Sequence, residues 1–215
     1  MIDLWLDDDV NLPGLKIAEM IFCRMDRDCR FETGRKDGAT VAPGETFATV
    51  SGNAQALLTA ERVALNLMQR MCGIAVLTAR YVHEIEGIGT TLLDSRKTTP
   101  GLRMIEKKAV VCVGGRSHRP GLDNGIMLKD NHIAVAGSIT AAVKRVRAVA
   151  PMLDNMSNAD MITAVGIVDQ RSSLECSGGV RLETIRAKAE TGVDYISVGR
   201  ITQSATCVDI GLDEV

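Results

Sequence analysis

Aromatic side chains are scarce in this sequence: three Phe, two Tyr and one Trp among 215 residues. That is too few to build the stacking platforms that hold single-stranded nucleic acid. An excess of either charge is also missing. Twenty-five Lys and Arg stand against 27 Asp and Glu, a formal net charge of −2, which gives no general affinity for nucleic acid or for an anionic membrane. No stretch approaches the roughly 20 apolar residues of a membrane span. None of the six cysteines (Cys23, Cys29, Cys72, Cys112, Cys176, Cys207) forms a CxxC pair, and there are only three histidines, His83, His118 and His132. A zinc site is therefore not expected, and the cysteines read as small buried hydrophobes of a cytoplasmic protein. The opening, Met1 to Val10, is acidic rather than basic and does not read as a signal peptide. What is present is ordinary for a globular protein: 46% hydrophobic and 24% charged residues exclude disorder. The length suits one large domain or two small ones.

Residues 14–30 predict a helix, with Leu15, Ala18, Ile21, Phe22 and Met25 at helical spacing. The segment FETGRKDGATVAPGETFATVSGNA follows. Its Asp37-Gly38 and Pro43-Gly44 turn signals predict a small antiparallel sheet. A biotinyl-type swivelling module has a similar rhythm, but its lysine-bearing hairpin is absent. Thr59 to Glu86 is the strongest helical stretch, and Gly73 is expected to break it into two. From residue 88 short apolar strands alternate with helices. TTLLDS, GIMLKD, MLDN and SLECSGG precede helices expected near 102–111, 138–149, 157–165 and 181–190, and VDYISVG precedes the C-terminal tail. Strand, polar turn and helix in alternation predict a parallel α/β layer or barrel. The expected division is residues 1–87 and 88–215, with a tail near 201–215 packing back on the first.

The strand exits carry the reactive side chains: Asp94-Ser95-Arg96-Lys97, Lys129-Asp130-Asn131, Asp154-Asn155, Glu175 with Ser177-Gly178-Gly179, and Gly199. In parallel α/β folds ligands sit at the carboxyl ends of strands. Residues 94–132 hold eight of the 25 cations but only four acids, Asp94, Glu106, Asp123 and Asp130. A positive cluster in an acidic chain points to a small polyanionic ligand. Lys107 and Lys108 read instead as a solvated helix face. Ser177-Gly178-Gly179 reads either as a phosphate cradle or as a tight turn. Asp154 and Glu175 could hold magnesium, hold sugar hydroxyls, or cap helices.

AERVALNLMQRMCGIA, DSRKTTPGLRMIEKKAV, SHRPGLDNGIMLKDNHI, LDNM, ECSGGV and TGVDYISVGRIT resemble, in order, the motifs of the quinolinate phosphoribosyltransferase family. The resemblance covers nearly the whole chain from about Gly14. It implies a small N-terminal α/β sandwich, a C-terminal incomplete α/β barrel, and a homodimer or higher homo-oligomer whose sites receive residues from both subunits. It implies the joining of quinolinate to phosphoribosyl pyrophosphate with Mg2+, giving nicotinate mononucleotide, pyrophosphate and carbon dioxide, a step of NAD synthesis. Arg62 would reach the partner's site and hold a quinolinate carboxylate, while Arg96, His118, Arg119 and Lys129 would line the same pocket. Lys97 would bind the pyrophosphate-bearing substrate, with Arg96, Lys97 and Lys129 as the catalytic residues. Asp154 would serve the magnesium and ribose, and Ser177, Gly178 and Gly199 would cradle the 5′-phosphate.

The chain also departs from that pattern. After Pro151 the family has a further βα unit bearing a magnesium-site glutamate, and here AVAP runs straight into MLDN. The strand at Met152 must then move into the vacant place or leave a gap beside Lys129. The strand before GLKIAEMIF is expected to be largely lost. Val111 stands where the family usually has arginine, and Gln203 where many members have histidine. An inactive or divergent paralogue that keeps the dimer and anion binding is the alternative reading.

Overall fold

The computed structural model describes residues 1–6, 10–120, 127–128, 135, 137 and 152–214. In chain order its elements are β1 (Ile2–Leu6), β2 (Val10–Leu12), α1 (Leu15–Met25), β3 (Arg30–Glu32), β4 (Ala39–Val41), β5 (Thr46–Ser51) and α2 (Ala54–Glu84). There follow β6 (Thr91–Leu93), α3 (Arg103–Cys112), β7 (Met127–Leu128), β8 (Met152–Asp154), α4 (Asn158–Val168) and β9 (Glu175–Ser177). The last are α5 (Leu182–Ala189), β10 (Tyr195–Ser197), α6 (Arg200–Gln203) and β11 (Ile210–Glu214). The chain divides into two compact units: Met1–Ala79 with Thr99–Val113 and Ser204–Val215, and Arg80–Thr98 with Gly114–Gln203. Among the described residues no helix is long and apolar enough to cross a membrane.

In the first unit an antiparallel sheet has the order β11-β1-β5-β3, and β2 pairs with β4 in a second, two-stranded sheet. The strand expected to be largely lost before Gly14 is present as β2, antiparallel to β4 with Val10 opposite Val41. Helix α1 buries Leu15, Ala18 and Phe22, and complete burial of a side chain such as Phe22 contributes about 1.5–3 kcal/mol. The Phe22 ring stacks on Phe31 with centroids 6.4 Å apart. Asp37 caps this helix: its Oδ1 accepts from the Gly14 and Leu15 amides at 3.0 and 2.9 Å. The helix stops at Met25, short of the expected 30. Asp26 is extended there, and its carboxylate accepts from the amides of Asn53 and Asp28 instead.

Gly73 does not break the long helix, because α2 runs unbroken for 31 residues. The glycine serves packing instead. A β-carbon there would lie 1.8 Å from the Thr206 carbonyl oxygen, so the C-terminal segment crosses α2 against a bare Cα. Nearby, Glu106 of α3 is fully buried. It accepts from Arg70 Nε at 3.0 Å and from the Thr99 hydroxyl at 2.6 Å. Lys107 is buried rather than solvated, whereas Lys108 is exposed as expected and pairs with Asp37 at 2.8 Å. Cys72 and Cys176 are buried as expected, but Cys207 is exposed. Burial, with a smaller contribution from the Asp37 charge, pushes the Cys72 thiol up to about 12.

In the second unit a parallel sheet has the order β6-β10-β9-β8-β7, extended beyond β6 by a parallel bridge between Leu93 and Arg116. The strands are only two or three residues long and their centres are apolar: Leu92, Leu153, Cys176 and Ile196 are at most 1% exposed. The vacant place is filled. Strands β7 and β8 pair directly, with Met127 opposite Met152 and Leu128 opposite Leu153. The helix expected near 138–149 lies outside the described residues. Helix α4 is capped by Ser157, whose Oγ accepts from the Asp160 amide at 3.2 Å and donates to the Asp160 carboxylate at 2.7 Å.

Candidate active site

Short parallel strands bring their carboxyl ends together, and there the second unit encloses a cavity of about 600 Å3, within the range of small-molecule sites. Eight of the residues to which the resemblance gives a role line it: Arg96, Lys97, His118, Arg119, Asp154, Ser177, Gly178 and Gly199. Lys129 lies outside the described residues. Arg62 is not among the lining residues. It belongs to α2 in the first unit, where its side chain is 71% exposed and 3.6 Å from Glu61.

Local chemistry holds these groups in place. The Asp94 amide donates to the Arg116 carbonyl and the Arg116 amide to that of Leu92, which aligns the segment before His118 with β6. The loop after β6 turns on Ser95, whose Oγ accepts from the Lys97 amide at 3.1 Å. The buried Thr202 hydroxyl of α6 donates to the Lys97 carbonyl at 2.8 Å. Gly199 gives Lys97 its path, because a β-carbon there would stand 2.8 Å from Lys97 Cδ.

On the opposite side β8 and β9 run in register, with Asp154 opposite Ser177. Asn155 follows in the left-handed region at φ 57°, and its amide donates to the Ser177 carbonyl at 2.9 Å. Gly178 also has positive φ, 85°, and Gly179 has 61°. These glycines turn the chain from β9 into α5, whose amino end carries the partial positive charge that favours anions.

Two lining cations escaped the sequence reading, Arg181 and Arg200. Arg200 directly follows Gly199, and Arg181 lies two residues after Gly179, so both stand at strand exits as Arg96 and Lys97 do. With them the wall carries Arg96, Lys97, Arg119, Arg181 and Arg200 against the carboxylates of Asp94 and Asp154. Gln203 also lines the cavity. Glu175, read from the sequence as a metal ligand, a sugar ligand or a helix cap, is not among the lining residues. It is buried below the cavity and bonded to His118, with Oε2 3.0 Å from Nε2. The arrangement suits a ligand with several negative charges: bidentate guanidiniums for carboxylates, an ammonium and backbone amides for phosphate.

The comparisons with known proteins agree with this chemistry. A family model described as quinolinate phosphoribosyl transferase, N-terminal domain, matches residues 2–72. The corresponding C-terminal domain model matches 74–152 and 151–213, two stretches that meet where the sequence lacks a βα unit. The chain is 39% identical over 233 aligned residues to a probable nicotinate-nucleotide pyrophosphorylase [carboxylating] of Synechocystis, covering 95% of this chain and 79% of that protein. A protein of the same description from Bacillus subtilis is 38% identical, over 93% of this chain and 78% of its own length. Among solved structures, NadC from Streptococcus pyogenes superposes with a TM-score of 0.88 at 35% identity, covering 99% of this chain and 85% of that one. With both domain models matched along almost its full length, this chain belongs to the quinolinate phosphoribosyl transferase family.

Proposed function

We propose that the chain transfers the phosphoribosyl group of phosphoribosyl pyrophosphate to quinolinate with loss of carbon dioxide, giving nicotinate mononucleotide and pyrophosphate for NAD synthesis. The observation that carries this reading is the convergence of Arg96, Lys97, His118 and Arg119 with Asp154 and the Ser177-Gly178-Gly179 turn on one cavity. Quinolinate has two carboxylates, and its cosubstrate a phosphate and a diphosphate. Arg96, His118 and Arg119, with Lys129, receive the dicarboxylate, and Lys97 receives the diphosphate. Ser177, Gly178 and Gly199 hold the 5′-phosphate.

Such chemistry is positioning plus electrostatic stabilisation of a departing pyrophosphate. Arg96, Lys97 and Lys129 supply the fixed positive charge near the reacting atoms. Decarboxylation follows from the electron-poor pyridinium of the intermediate, whose ring nitrogen stabilises the electron pair left on the adjacent carbon until a proton from water replaces the carbon dioxide. Among the described residues no three His, Cys, Asp or Glu side chains are grouped to hold a metal. Magnesium needs no such cage, since it keeps waters and takes one or two carboxylates together with substrate phosphates. Asp154, in the cavity wall, fits as the protein carboxylate, and the ion would neutralise diphosphate charge there. Arg62 lies in the first unit and is not among the residues that line the cavity. That exposed cation reaches the cavity of a second copy, and the working form is a homodimer or higher homo-oligomer in the cytoplasm.

The inactive-paralogue reading finds no support in the comparisons. The test is an assay of the purified chain with quinolinate, phosphoribosyl pyrophosphate and magnesium. Equimolar nicotinate mononucleotide and carbon dioxide are the expected products. Turnover of nicotinate in place of quinolinate would overturn the reading.

A further inference from the structure

We propose that Glu175 is a positioning residue that locks the His118 ring for ligand binding, an inference that rests on the assignment of His118 to the dicarboxylate pocket. Glu175 opens β9, opposite Met152 on one side and Tyr195 on the other. It therefore lies two residues, or roughly 7 Å, below the level of Ser177. It does not line the cavity, whereas His118 does. The two side chains are 8% and 14% exposed, respectively, with Oε2 3.0 Å from Nε2. A carboxylate this deep is costly unless it is paired. Among the described residues its other oxygen, Oε1, is buried without a hydrogen bond.

The other end of His118 is also held by a buried acid. Its backbone amide donates to Asp94 Oδ1 at 2.8 Å. Asp94 follows β6, Glu175 opens β9, and β10 lies between those two strands in the sheet. His118 is thus fixed at its backbone by one strand and at its ring by another. The short contact fixes the ring at Nε2, whichever of the two groups donates. A ring held in advance does not have to be ordered when the ligand arrives, and that saving appears as affinity.

The test compares Glu175→Ala, Glu175→Gln and Glu175→Asp in the full chain. Glu175→Ala is expected to raise the quinolinate KM at least tenfold, with kcat and the phosphoribosyl pyrophosphate KM changed less than threefold. Glu175→Gln retains an oxygen that accepts from Nε2 and should restore KM to within threefold of the parent. In a His118→Ala background, Glu175→Ala should add less than twofold. An undiminished effect of Glu175→Ala in that background, or an equal loss for both substrates, overturns the proposal. Should Glu175→Ala fail to fold, Glu175→Asp retracts the carboxylate by one methylene, and an unchanged quinolinate KM in that variant counts against the proposal equally. A readout independent of substrate is the ring 1H–15N spectrum, simple to assign with three histidines in the chain. A His118 ring signal indifferent to Glu175→Gln overturns the proposal whatever the cavity binds. A signal that moves, in a protein without affinity for quinolinate, upholds the lock and overturns the substrate assignment instead.

Discussion

Gly178 and Asn155 meet so closely that a β-carbon on the glycine would lie 2.2 Å from Asn155 Oδ1 and 2.7 Å from its backbone nitrogen. The second contact is with main chain, which no rotamer change relieves, and Gly178 also has φ +85°. Gly178→Ala is therefore expected to destabilise the protein by more than about 1 kcal/mol and to weaken phosphoribosyl pyrophosphate binding. Gly199→Ala makes a useful contrast. Its β-carbon would meet the flexible Lys97 side chain, so stability should hold while diphosphate affinity falls. Denaturant melts and calorimetric titration of both variants check the pair of expectations.

The strand exits were legible because their chemistry is local. Polar residues that directly follow a short apolar run, as Asp94 follows Leu92-Leu93 and Asp154 follows Met152-Leu153, need no tertiary knowledge. Glu175 opens β9 instead of standing at its exit, for the converse reason. Strand register decides that it lies at the depth of Met152 rather than Asp154, and register between strands far apart in sequence is not written in either one. Gly73 was misread in the same way. Helix propensity penalises glycine by about 1 kcal/mol against alanine, and that local rule predicted a break. The crossing of residues 205–207 more than 130 positions later could not be seen from the helix itself. Lys107 looked solvated because charge is a good guide to exposure on average, and here tertiary packing overrides it.

That crossing gives the second prediction. Gly73→Ala should gain about 1 kcal/mol of helix propensity yet destabilise the chain. A β-carbon 1.8 Å from the Thr206 oxygen and 2.8 Å from its carbonyl carbon forces the tail away, and overpacking of this kind costs about 1–3 kcal/mol. The first element to loosen should be β11, which pairs with β1 from Ile210 opposite Leu6 to Glu214 opposite Ile2. Hydrogen exchange should quicken at residues 210–214 more than at β9 or β10. A variant as stable as the parent would show that the segment yields without loss.

Asp26 sets an acid limit on the first unit. Hydrogen bonds from the Asn53 amide, and then from the Asp28 amide, hold its carboxyl below the usual carboxylate value. A depressed folded-state value means that the carboxylate stabilises the fold above the unfolded pKa of about 3.9. That contribution disappears as pH falls through the folded-state value. Asp26→Asn keeps one acceptor but loses the charge. Its melting temperature should lie below the parent's near neutral pH, and the gap should close as pH falls below about 4. A gap that persists unchanged in acid would show that the hydrogen bonds do not depend on ionisation.

The last prediction concerns Arg62 and Arg96, which lie in different units of the chain. Arg96 lines the cavity, while Arg62 projects from α2 with a side chain 71% exposed. An arginine that exposed contributes little to stability, since its ion pair with the neighbouring Glu61, at 3.6 Å, is a surface contact. Arg62→Ala should accordingly melt like the parent. If Arg62 serves the cavity of a second copy, Arg62→Ala and Arg96→Ala should each be inactive alone, because every site in either homodimer lacks one cation. Mixed after dissociation and reassembly, they form heterodimers in which one site has lost both residues and the other has both. About half of the dimers in an equal mixture are of this kind if exchange is random. Roughly a quarter of the parent's sites should then be intact, and activity should return to about that level. Full activity of Arg62→Ala alone, or a mixture that recovers nothing although exchange is shown by mass spectrometry, would mean that each chain completes its own site.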